Sequence, residues 1–269
     1  MKVPYWHVDA FADRPFTGNQ AAVMVLDDWL PDEVLQAIGE ENNFAETAFV
    51  VPDRGGEADW ELRWFTPASE VALCGHATLA SGHVLLARDG GERVTFRTRK
   101  SGVLEVRRDG GGYALSLPVT RVERRDDPAL LEALGCKGEV FRSVSGAEQT
   151  AIIQLADEAS VRTLDPDLRA LAHIDLMAIC TAQGRGTDVV SRVFAPAWGV
   201  DEDSVTGSAH AALAPFWAER LGRDRLTAHQ ASRRGGTLTC HLAREPSGER
   251  VWLGGGCVTV VEGVFYLSG

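Results

Sequence analysis

Arg63-Trp64-Phe65-Thr66-Pro67 is followed by Glu70 and then by Cys74-Gly75-His76-Ala77, where a stretch rich in alanine and leucine begins; Arg192-Val193-Phe194-Ala195-Pro196 is followed by Asp203 and then by Thr206-Gly207-Ser208-Ala209, where another begins. Each copy reads as strand, proline, acidic residue, small glycine-containing turn and helix start, and the copies stand about 130 residues apart, near half the chain. An ordered series of matches is the mark of a duplicated unit, so two similar halves are expected. The polar stretch from Pro118 to Pro128, with Arg121, Glu123, Arg124, Arg125, Asp126 and Asp127, interrupts the pattern. It marks either a boundary, giving halves of 1–120 and 121–269 with the last strands free to pack back on the first half, or a solvated loop within one domain.

Short runs rich in Val, Leu, Phe and Trp, separated by Gly, Asp or Pro, predict a strand-rich chain with few helices. Strands are expected at 5–9, 21–26, 47–51, 60–65, 93–97, 102–107, 113–117, 151–155, 189–194, 237–241, 251–253 and 258–261. Helices are expected at 32–41 after Pro31, at 75–87, at 165–172 after an Asp-Pro start, and at 207–221 before Gly222.

The 269 residues carry a formal net charge of −11, and their arginines are scattered, which argues against a nucleic-acid partner. No apolar run approaches the roughly 20 residues that span a bilayer, and Met1–Ala10 reads as a strand rather than an export signal, so a cytoplasmic protein with no membrane partner is expected. Cys74, Cys136, Cys180, Cys240 and Cys257 are odd in number and form no CxxC pair. They read as reduced thiols, and no ligand spacing calls for a metal.

A helix that begins at glycine presents unpaired N–H groups to any ligand that comes close, at the positive end of its dipole. The repeat supplies two such starts, at Gly75 and Gly207, suited to a substrate carboxylate and to negative charge that develops beside it. Proton transfer also needs a titratable side chain, and Glu46, in Asn43-Phe44-Ala45-Glu46-Thr47-Ala48-Phe49, lies among small and apolar neighbours that would raise its pKa. Glu46 reads either as that acid/base or as a carboxylate on the outer face of a strand. His76 and Ser208 hold matching places one residue inside each helix start, as substrate-binding groups or as a packed histidine and a self-bonded hydroxyl. Asp203 either orients a ligand amine or hydroxyl or begins the turn before the helix, and His210, on a different face of the helix, reads as structural or as a support behind the site. No Gly-x-Ser-x-Gly elbow supports a serine hydrolase.

At these residues the chain resembles the phenazine biosynthesis PhzF-like family, related in fold to diaminopimelate epimerase and proline racemase. The resemblance rests on Val8-Asp9-Ala10-Phe11 with Phe16-Thr17-Gly18-Asn19, on Asn43 to Thr47, on Arg63 to Pro67 through Glu70 to Thr78, and on Glu202 to His210. The family pattern has proline where this chain has Gln20 and Ser204, which loosens two turns and leaves the chemical groups in place. The resemblance implies an α+β fold of two similar halves, each a curved, mostly antiparallel sheet wrapped around a central helix. It implies an isomerase that uses no metal or organic cofactor, commonly a homodimer, whose best-known member moves hydrogen around a cyclohexadiene ring. By the same resemblance Glu46 is the acid/base, and Gly75, His76, Asp203, Gly207 and Ser208 hold a small carboxylate-bearing substrate. The related two-cysteine epimerases place a thiol at each helix start; here the positions hold Cys74 and Thr206, and a hydroxyl cannot replace a thiolate base. A racemase that uses Cys74 and a non-catalytic binding protein remain the alternatives.

Overall fold

Two helices of 15 residues, α2 (Gly75–Asp89) and α6 (Gly207–Leu221), begin at the repeated glycines. Both are buried on nearly every side, which small residues permit: Ala77, Ala80, Ser81 and Gly82 in the first, Ala209, Ala211, Ala212 and Ala214 in the second. A helix without a solvent face belongs to the core. Gly82 shows how tight the packing is, since a Cβ there would run into the Val106 side chain.

The structure, a computed structural model, describes residues 1–144, 149–245 and 248–267. It falls into two units, Met1–Ser116 with Gly254–Gly269, and Leu117–Leu253. In the first, β1 (Lys2–Ala10) pairs antiparallel with β2 (Asn19–Val25), and β2 runs parallel to β3 (Glu46–Pro52) after the crossover helix α1 (Asp32–Asn42). The chain continues antiparallel through β4 (Trp60–Phe65) and the two-residue β5 (Glu70–Val71), passes through α2, and returns as β6 (Arg93–Thr98) parallel to β4. β7 (Val103–Asp109) and β8 (Gly112–Pro118) follow as antiparallel neighbours, and the last strand, β18 (Cys257–Tyr266), pairs with β1 from Lys2↔Tyr266 to Ala10↔Cys257. α2 touches β1, β2, β3, β6, β7 and β18, so this sheet wraps it.

The second unit repeats the order of pairings. β9 (Val122–Arg124) and α3 (Pro128–Leu134) precede β10 (Glu139–Ser143), which is antiparallel to β11 (Thr150–Gln154). After α4 (Glu158–Arg162) and α5 (Leu168–Leu171), β12 (Met177–Gln183) lies parallel to β11, as β3 lies to β2. β13 (Val189–Ala195) and β14 (Val200–Asp203) match β4 and β5; after α6, β15 (Arg225–Gln230) lies parallel to β13, as β6 does to β4, and β16 (Gly236–Glu245) pairs with it. β17 (Gly248–Gly255) follows. Pro215 lies inside α6 and cannot donate to the Ala211 carbonyl; the Thr120 N–H donates to it instead, at 3.2 Å.

Three of the four expected helices stand nearly as read, and the fourth is corrected. Where 165–172 was expected, α5 covers only Leu168–Leu171, because Asp167 caps it by accepting from the Arg169 and Ala170 N–H groups. Two helices had been passed over although their caps are written in the sequence: Asp127 accepts from the Leu130 N–H before Pro128 at the first helical turn of α3, and Asp157 accepts from the Ser160 N–H of α4. The polar stretch 118–128 is not all linker, since it holds β9, paired with β10.

Candidate active site

Glu46 is the first residue of β3, and His76 is the second residue of α2. The β2–β3 register sets Glu46 opposite Ala21, two residues beyond Asn19. The Glu46 Oε2 lies 3.0 Å from His76 Nε2, with the side chains 15% and 4% exposed. Asn19 places its amide nitrogen 3.0 Å from the other ring nitrogen, Nδ1, and the Cys74 Sγ lies 3.5 Å from Nδ1. Four groups from β2, β3 and the start of α2 thus meet in one buried spot. Nothing in the sequence around Asn19 singles it out; its place beside His76 follows from the parallel β2–β3 pairing.

Burial opposes a charged imidazolium at His76, but the Cys74 sulfur and the Glu46 carboxylate, which face its two ring nitrogens, outweigh it and hold the pKa well above the usual imidazole value. The Cys74 thiol is pushed up to about 12 by burial, with the Glu46 charge adding to the effect. At neutral pH it is therefore a protonated thiol and a poor base. The spacing argument had passed over one cluster, because Glu46, Cys74 and His76 bring possible metal-donor atoms within 4.8 Å of one another. Glu46 and His76 already face each other, and a cation would have to take the proton from a deeply buried thiol.

Backbone strain gathers around this spot. Outside glycine, positive φ occurs among the described residues at Phe11 (55°) and Phe16 (72°), in the segment that joins β1 to β2, and at Asn43 (49°), three residues before Glu46. Phe16 is bulky and 75% exposed, so packing does not offset its conformation. The buried carboxylate of Asp9 fixes it by accepting the Phe16 N–H at 2.7 Å.

In the second unit, Asp203, Gly207 and Ser208 lie together at the start of α6. Asp203 does begin the turn: its Oδ1 accepts the Ser204 N–H at 2.8 Å, and its Oδ2 accepts the Thr206 hydroxyl at 2.6 Å. Gln230 braces the same turn, accepting the Thr206 N–H at 2.9 Å and donating to the Asp203 carbonyl at 2.8 Å. The Ser208 hydroxyl is half-buried and bonds to no described residue, so it is not spent on its own backbone. α2 and α6, like α1, have no side chain capping the first turn, whereas α3, α4 and α5 are each capped by an aspartate. The two long helices leave first-turn N–H groups for something other than their own chain.

The equivalent acidic residue of the repeat is Glu202, which corrects the pairing of Glu70 with Asp203. Arg63 forks onto Glu70 at 2.7 and 2.8 Å and stacks on Phe65; Arg192 forks onto Glu202 at 2.7 and 3.1 Å and stacks on Phe194. His210 is structural: its Nδ1 donates to the Thr206 carbonyl at 2.8 Å, as the Thr78 hydroxyl donates to the Cys74 carbonyl in the first unit. Burial lowers the His210 pKa to about 4. Its neutral form therefore stabilises the fold fully above pH about 6.5, and this is lost as the pH falls towards 4, by about 3 kcal/mol in all. Urea unfolding between pH 7 and 4.5 should show that loss in the wild type and a flatter profile in His210→Asn, which keeps the donor; equal slopes would remove His210 as its source.

The family model for phenazine biosynthesis-like proteins matches residues 8–263. A protein of Pseudomonas aeruginosa named an uncharacterized isomerase is 48% identical over 272 residues, covering all of both chains. A PhzF family protein of Enterococcus faecalis has a crystal structure that superposes with a TM-score of 0.88 at 42% identity, covering 99% of this chain and all of that one. The crystal structure of a hydroxyproline epimerase from Agrobacterium vitis, at 12% identity and a TM-score of 0.66 over 98% of this chain and 92% of its own, shares the fold.

Proposed function

Because this chain belongs to the phenazine biosynthesis-like protein family, we propose that it is an isomerase that moves a proton between two carbons of a small carboxylate-bearing substrate, with Glu46 as its single acid/base. One observation carries the reading: Glu46 meets His76 at 3.0 Å beside a helix start that no side chain caps. His76 faces Oε2, which leaves Oε1 to take the proton. The electron pair left on carbon delocalises towards the substrate's own carboxylate or conjugated system. The protonated Glu46 then returns the proton to another carbon and recovers its charge. In the first unit the N–H groups at Gly75 hold the substrate's carboxylate; in the second, the Gly207 N–H, the Ser208 hydroxyl and Asp203 are groups of the kind that bind a carboxylate, a hydroxyl and an amine. On this reading the enzyme works as a cytoplasmic homodimer and takes neither metal nor organic cofactor, since base and charge-stabilising groups are all its own.

Cys74 takes no part in the proton transfer, because a thiol with a pKa of about 12 holds its proton at neutral pH. Incubation with candidate cyclic and amino-acid-like carboxylates in heavy water, followed by mass spectrometry, should show deuterium entering product at similar rates with the wild type and Cys74→Ala. Loss of incorporation in Cys74→Ala, with the fold intact, would transfer the reaction to the thiol.

A further inference from the structure

A cavity of about 410 Å³ opens on the flank of α6 within the second unit, away from the helix start. Its wall is apolar, made by Ala212, Pro215, Phe216 and Phe141, with the two phenyl rings edge to face at 4.9 Å. Its rim carries Arg121, Arg124, Glu219 and Arg220. Arg121 already pairs with Glu249, and Arg124 pairs with Glu139 at 2.9 Å, so these cations are largely answered. Glu219 and Arg220 are different. The exposed Glu219 carboxylate makes no hydrogen bond to a described residue, and the charge it answers is that of its neighbour Arg220. The Arg220 guanidinium lies 3.5 Å from the Phe216 ring centroid and donates from Nε to Gln154 and from Nη1 to the Phe216 carbonyl; its Nη2 has no partner among the described residues. An acceptor and a donor of opposite charge thus stand side by side over an aromatic wall. That arrangement matches a ligand with an ammonium, a carboxylate and a flat apolar group.

We propose that this cavity is a second ligand site, for a small zwitterion with an aromatic side chain, the class of a free aromatic amino acid. The carboxylate meets Arg220, the ammonium meets Glu219, and the ring lies beside Pro215 against the outer face of the guanidinium that already covers Phe216 and Phe141. The site adjoins the place where Pro215 interrupts α6 and Thr120 takes the freed Ala211 carbonyl, so an occupant touches the one break in the helix that carries Gly207 and Ser208. This site stands independently of the isomerase reading.

Calorimetric titration with L-phenylalanine, phenylpropionate and phenethylamine tests it. Phenylalanine should bind the wild type and equally Glu46→Gln and Ser208→Asp, and should bind each of Glu219→Gln, Arg220→Gln and the cavity-filling Val122→Trp about tenfold more weakly or worse, as loss of a charge-assisted contact or of the space requires. Phenylpropionate and phenethylamine, each lacking one charge, should bind the wild type about tenfold more weakly than phenylalanine. No binding of phenylalanine at millimolar concentration, equal binding by all three compounds, or loss in Ser208→Asp with retention in Arg220→Gln would each overturn the proposal.

Discussion

Glu46→Gln lowers turnover about 10²- to 10⁴-fold, the range expected when a positioned acid/base is removed, while the unfolding midpoint stays nearly where it was. Glutamine keeps the shape of the side chain and an oxygen to face His76 Nε2, so the 3.0 Å contact and the packing at the start of β3 survive. What it cannot do is carry a proton from one carbon to another. The same substitution leaves His76 without the facing carboxylate that helps to raise its pKa, so the His76 titration followed by NMR should move down with the charge gone. Initial rates, a thermal melt and that titration together distinguish lost chemistry from lost structure. Turnover within a few-fold of wild type would remove Glu46 from the reaction.

Arg63→Met costs about 1–3 kcal/mol of stability, the range for taking a charge-assisted partner from a partly buried carboxylate that keeps a second cation. The Arg63 side chain is 2% exposed, forks onto Glu70, donates to Asp32 at 2.8 Å and lies over Phe65 and Trp29 at 5.0 and 5.2 Å. Methionine fills much of the volume but takes the fork from the Glu70 carboxylate, which is only 28% exposed and keeps Arg99, at 3.2 Å, as its remaining cation. Asp32, at 66% exposed, finds water and adds little. Arg63→Lys should recover only part of the loss, because a single ammonium cannot reproduce the fork. Urea unfolding reads both variants, and a loss under about 1 kcal/mol in Arg63→Met would show that the pair is not buried in any energetic sense.

What was legible in the sequence and what was not divide along physical lines. The repeat was visible because strand, proline, glycine and small-residue helix follow one another in both copies, and the matching order of strand pairings accounts for it. Met177–Gln183 escaped notice although it is a strand, because a segment buried on both faces shows no alternation of polar and apolar residues. Arg225–Gln230 escaped for the opposite reason: its outward residues, Arg225, Thr227 and His229, are polar enough to disguise the buried Leu226, Ala228 and Gln230. At the site, residue types named the candidates, but distance alone reveals that Glu46 faces His76 and that Asp203 holds Thr206. Glu202 is the match to Glu70 by spacing as well as by contact: each stands five residues before the glycine that opens its helix, Asp203 only four, and the Arg192 fork falls on Glu202.

The pairing of β1 with β18 reverses the usual timetable of a nascent chain. Residues Leu117–Leu253 are contiguous and emerge from the ribosome as one run, while β1 waits, one side bare, for a partner that emerges only after that run. The half synthesised first is thus the half finished last, and throughout that interval its unclosed margin is the part of the molecule most exposed to mispairing with a neighbouring polypeptide.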